Sequence, residues 1–140
     1  MAESEPSHGW CSLRLRFDER ELELLRGAER VRGAAMAHSA GPRELRTALT
    51  LAKAGQKVSH STPGASVVLD ETELGLLLEA VRFAVPAVQA AARPDDAADH
   101  REAVAGAFPE LVDKGAWRAF GLTRELEALA ARLHSALKGG

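Results

Sequence analysis

Cysteine occurs once in the 140 residues, at Cys11, so a disulfide framework within the chain is excluded. Tyrosine is absent, and the aromatics amount to four Phe and two Trp. Few aromatics stand among the basic residues of the first half, where a surface that stacks bases needs them interleaved. Neither sign of charge dominates: the formal net charge is −2, which is not the strongly basic character of an electrostatic nucleic-acid binder. No apolar run reaches 18 residues without a charge, so no membrane span is expected. The start of the chain lacks a basic region followed by an apolar run, so no secretory signal is expected. A soluble protein of the cytoplasm, without cofactor or metal, is the resulting expectation. Isoleucine and asparagine are also missing, while alanine is abundant and arginine far outnumbers lysine. That bias fits a GC-rich coding sequence and carries no functional meaning.

What is present is a hydrophobic content of 46%, enough for one real core. The chain centres on residues 70–92, DETELGLLLEAVRFAVPAVQAAA. At 100° per residue, Glu71, Gly75, Glu79, Arg82, Pro86, Gln89 and Arg93 share one stripe roughly 80° wide. Nearly everything else on this helix is apolar, so most of its circumference needs cover. Asp70 and Glu73 form a D-x-x-E capping box that satisfies free backbone N–H groups of the first turn. Pro86 lies on the wet stripe, where water reaches the carbonyl it frees, so one long bent helix is predicted. Leu76, Ala80, Phe83 and Ala87 make a second apolar stripe beyond the ordinary core face. They are the predicted partner interface of a homodimer.

The first residues of the chain, 1–9, read as a disordered tail. In 10–17, Cys11, Leu13, Leu15 and Phe17 alternate with Ser12, Arg14 and Arg16, which predicts a half-buried strand. Asp18 and Glu21 then form a second capping box, opening a helix over about 19–35. The two openings match at an offset of 52. LRFDERELELLRGAERV falls on VVLDETELGLLLEAVRF with eight of 17 positions identical, and Pro42 matches Pro94. A duplicated strand–helix unit is expected, with its strands as neighbours about a pseudo-twofold. A shared grammar of strand, cap and helix is the competing explanation.

Between the copies a helix is predicted over about 43–54, with Leu45, Leu49 and Ala52 on one face and Gly55 as its stop. A hairpin follows, with strands near 57–60 and 65–69. Further helices are expected over about 95–107, from Pro109 to about 113, and over 124–137, capped by Thr123. KGAWRAFG (114–121) is expected as a connection carrying two buried aromatics. The whole is an α+β domain spanning 10–140. About five helices pack on a small two- to three-stranded, mostly antiparallel sheet. Copy 1 covers about 10–55, copy 2 about 56–107, and the C-terminal helices 108–138.

Chemistry-bearing candidates are weak. Cys11, on the apolar face of a strand, reads as a buried thiol rather than a nucleophile. Asp96 and His100 are spaced i, i+4, but two ligands do not make a metal site. Gly55-Gln56-Lys57-Val58-Ser59 lacks the first glycine of a phosphate loop and follows a helix instead of a strand. Ser59-His60-Ser61 has no acidic partner nearby in sequence. Lys138-Gly139-Gly140 reads as a helix end, since no ubiquitin-like strand pattern precedes it. Arg14, Arg16 and Lys57 could contact phosphates, within a first half (1–69) holding 10 basic and 8 acidic residues. The sequence therefore predicts a non-catalytic protein-interaction module. It would be a self-associating, bacterial-type accessory or regulatory protein that also binds another protein. A nucleic-acid-associated regulator is the alternative, and a small-ligand or enzymatic pocket near Trp117 is the second alternative.

Overall fold

A computed structural model describes residues 12–37, 41–91, 98–109 and 116–139. Cys11, the first residues and the predicted helix from Pro109 to 113 lie outside the described residues, or nearly so. The described part is five helices and a two-stranded antiparallel sheet, an α+β fold. In order they are β1 (Ser12–Arg16), α1 (Glu19–Ala37), α2 (Pro42–Ser59), β2 (Ser66–Asp70), α3 (Glu71–Ala91), α4 (Ala98–Ala107) and α5 (Ala116–Gly139).

Both strands run straight into a helix, and both helices start with the predicted box. In the first, the Glu21 N–H donates to Asp18 Oδ1 at 2.8 Å and the Asp18 N–H to Glu21 Oε1 at 3.0 Å. In the second, the Glu73 N–H donates to Asp70 Oδ1 at 2.7 Å and the Asp70 N–H to Glu73 Oε1 at 3.0 Å. These reciprocal bonds hold the chain at the point where it turns from extended to helical. The strands pair with Leu15 opposite Val67, Arg14 opposite Val68 and Arg16 opposite Ser66. At the offset of 52, Leu15 faces its own counterpart, and the other two pairs exchange. A local twofold axis between Leu15 and Val67 leaves this ladder unchanged. The helices follow the same exchange: α2 packs on α1 and α3, and α4 on α3 and α1.

Among the described residues no strand leads into α5. It lies along α3, burying Leu122, Leu126, Leu129 and Leu133. α3 is thereby enclosed by four helices and β2, with nine of its side chains buried. Among the described residues it is also the one helix long and apolar enough to cross a bilayer. Its place at the centre of the core accounts for that composition. Pro86 stays inside the helix, exposed, as expected.

Several local expectations are corrected. α2 does not stop at Gly55 but continues to Ser59, so the strand near 57–60 is helix and the hairpin is absent. The physical reason is packing: Leu51, Ala54, Gly55 and Val58 form the buried face of the helix, which outweighs the glycine's propensity cost of about 1 kcal/mol. Capping comes instead at His60, whose backbone N–H donates to the Gln56 carbonyl. The chain then turns through Gly64 at φ 82°, a conformation that favours glycine, and the Gly64 N–H donates to the Phe17 carbonyl at 2.9 Å. α5 begins at Ala116, not Arg124, so 116–121 is helix rather than connection. Thr123 is no cap there, because its hydroxyl donates to the Phe120 carbonyl one turn back. Phe120 is 60% exposed rather than buried.

Candidate interaction surface

Among the described residues, the outer face of α2 carries two of the four large apolar side chains left exposed. Leu45 is 63% exposed and Leu49 60%, with Ala52 and Gln56 exposed on the same line. Their spacing of four, three and four residues is a helical stripe of heptad type. The sequence places Leu45, Leu49 and Ala52 on one face, and the structure turns that face to solvent. The inward face, rich in small residues, approaches α1 and α3 closely. Arg46 and Lys53 run beside the stripe and Arg43 lies farther round the helix, all three exposed. Among the described residues none of these three cations has a carboxylate partner.

The stripe predicted as the interface on α3 is divided. Ala80 and Ala87 are buried within the chain's own core. Leu76 and Phe83 remain half-buried against it, and the Arg32 guanidinium lies 4.7 Å from the centre of the Phe83 ring. Arg32 is in turn held by Glu79 across α1 and α3 at 3.3 Å. Ala80 and Ala87 therefore offer no outer surface. The reason is the length of α5 and the closure of α4 on α1, which together cover a helix circumference that looked excessive in sequence.

The three predicted phosphate contacts are not equivalent. Arg14 and Arg16 project from the exposed face of β1 beside Ser66 and Val68 of β2. Lys57 lies at the end of α2, and its ammonium is held 2.7 Å from buried Glu73 Oε1. It borders an open groove of about 460 Å³ with His60, Ser61 and Val68. All three border the Ser66–Val68 stretch of β2, but a cation already committed to a buried carboxylate is a poor phosphate ligand, which sets Lys57 apart from Arg14 and Arg16 in chemistry.

Glu29 was not singled out by the sequence reading. It sits on α1 against α2, where Gly55 makes room. A Cβ at Gly55 would stand 2.8 Å from the Glu29 carboxyl carbon and Oε1. Burial raises the pKa of this carboxyl, with neighbouring Arg30 opposing the shift. Glu29 has no hydrogen-bond or ion-pair partner among the described residues. It borders an open cavity of about 590 Å³ lined by Arg20, Arg26, Arg30, Ser59 and Phe108. The signal was there in the sequence: on a 100° wheel Glu29 falls between Leu22 and Leu25, in the apolar arc of α1. At the offset of 52 it matches Val81, which is fully buried. Such a carboxyl holds its proton more firmly than an exposed one.

The predicted pocket near Trp117 involves a side chain outside those described, and Asp96 also lies outside them. Among the described residues no three His, Cys, Asp or Glu side chains gather as a metal site. No protein-family model matches the sequence, and neither the curated proteins nor the solved structures yield a match.

Proposed function

We propose that this protein is a non-catalytic interaction module, an accessory or regulatory protein of the cytoplasm whose contact surface is the outer face of α2. The single observation that carries this reading is the uncovered Leu45–Leu49–Ala52 stripe. A fully wet leucine forgoes about 1.5–3 kcal/mol of burial, and here two stand one turn apart on a regular helix. Helix faces of this kind dock amphipathic helices through anchors at i, i+3, i+4 and i+7. The proposed contact thus moves from the α3 stripe to α2, which the fold leaves open on its outer side.

The reading is tested by Leu45→Ala and Leu49→Ala in chemical denaturation. Side chains that face solvent in the isolated protein should change stability by no more than about 0.5 kcal/mol each. A loss of about 2 kcal/mol or more at either site would mean packed core, and the contact surface would go with it.

A further inference from the structure

We propose that the occupant of the α2 stripe is an acidic amphipathic helix of a different protein. This rests on the interaction-module reading and names its partner class. With Leu45 at d, Leu49 falls at a, Ala52 at d and Gln56 at a. Arg46 and Lys53 then both occupy e positions, and the g positions hold Ala48 and Gly55. A second copy docking about a twofold in the antiparallel sense would set e against e, bringing Arg46 of one chain beside Lys53 of the other. Two cations with no carboxylate between them oppose that arrangement. A partner helix carrying Glu or Asp beside its own apolar stripe meets the leucines and neutralises the basic flank at once. Arg46 and Lys53 stand seven residues apart on this flank, so the favoured partner is acidic over about two helical turns. Among the described side chains the g positions of the opposite flank carry the small residues Ala48 and Gly55, with Gly55 buried against α1, so the charge selection comes from the e side.

The probe is a fluorescein-labelled three-heptad peptide with Leu at a and d and Glu at e and g, compared with a twin carrying Lys in place of Glu. Binding is read by fluorescence anisotropy against the native chain. The acidic peptide should bind about tenfold more tightly than its twin, with the difference shrinking as salt is added. Arg46→Glu combined with Lys53→Glu should invert the preference, while Leu49→Asp should abolish binding of both peptides with the circular dichroism unchanged. Equal binding of the two peptides, or preference for the Lys twin, overturns the acidic partner and leaves the docking surface standing. So does a native dimer, seen by sedimentation, that Leu49→Asp converts to a folded monomer, because the occupant is then a second copy. Binding of neither peptide by a chain that stays monomeric removes both the partner class and the interaction-module reading.

Discussion

The two capping boxes are the same four-residue device in two settings. Glu21 lies near the surface and is met by Arg132 of α5, which also donates to the Arg16 carbonyl and lies over the Phe17 ring. Glu73 is 5% exposed and is met by Lys57 of α2. Each box thus recruits a cation from an element outside its own strand–helix unit, and each cation ties that element to the start of a helix. The settings differ in water. Around Glu21, solvent can replace a lost partner. Around Glu73, a lost partner leaves a buried group unsatisfied, so the same D-x-x-E motif has unequal energetic weight.

The largest expected effect tests that inequality. Glu73→Ala removes the acceptor of both the Asp70 N–H and the Lys57 ammonium. It should cost about 2 kcal/mol, against about 1 kcal/mol for Glu21→Ala, in parallel urea titrations. Equal losses would show that burial does not distinguish the boxes.

A smaller effect, with opposite signs, is expected at two helical glycines. A Cβ at Gly27 would stand 2.3 Å from Cε1 of the buried Phe108 ring, so the α1–α4 contact depends on this glycine. Gly27→Ala should destabilise by about 1–2 kcal/mol after the helix-propensity gain is counted. At Gly75 on α3 nothing lies within 4 Å of such a Cβ, and Gly75→Ala should stabilise by up to about 1 kcal/mol. Thermal melts of the two variants decide the matter, and a shared sign would discredit the difference in packing.

The smallest effect belongs to Glu29, which falls on Val81 at the offset of 52. The folded-state pKa is raised by burial, so the folded chain binds this proton more tightly than the unfolded chain. The associated stability is fully present below the ordinary carboxylate pKa and is lost as pH rises from there through the folded pKa. Glu29→Gln should therefore be closest to the native protein at about pH 4 and gain on it toward about pH 8 in urea midpoint. A constant difference across that range would mean that Glu29 is solvated as an exposed carboxylate.

Much of the architecture was legible because it is local. Alternation marks the strand at Leu13–Phe17, and the D-x-x-E boxes place the starts of α1 and α3. Both signals act over a few residues, where backbone groups must find partners close by. The α2 boundary was not legible. Gly55 reads as a stop when only propensity is counted, yet its missing side chain is what lets Glu29 approach. The candidate surface was half legible: Leu45, Leu49 and Ala52 share a face in any helix, but periodicity does not say which of two apolar faces is turned inward.

By itself, the sequence determined an α+β domain of about five helices on a two- to three-stranded sheet, the sites of two caps and a match at offset 52. Only the tertiary structure decided that α5 covers α3, that Ala80 and Ala87 are core, and that the leucines of α2 face water. The physical reason is that local bonds are closed by neighbours in sequence, whereas burial depends on which distant element arrives first at a given face. α3 meets four helices and is closed, while α2 meets α1, α3 and β2 on its inner side and is left with an apolar edge outside.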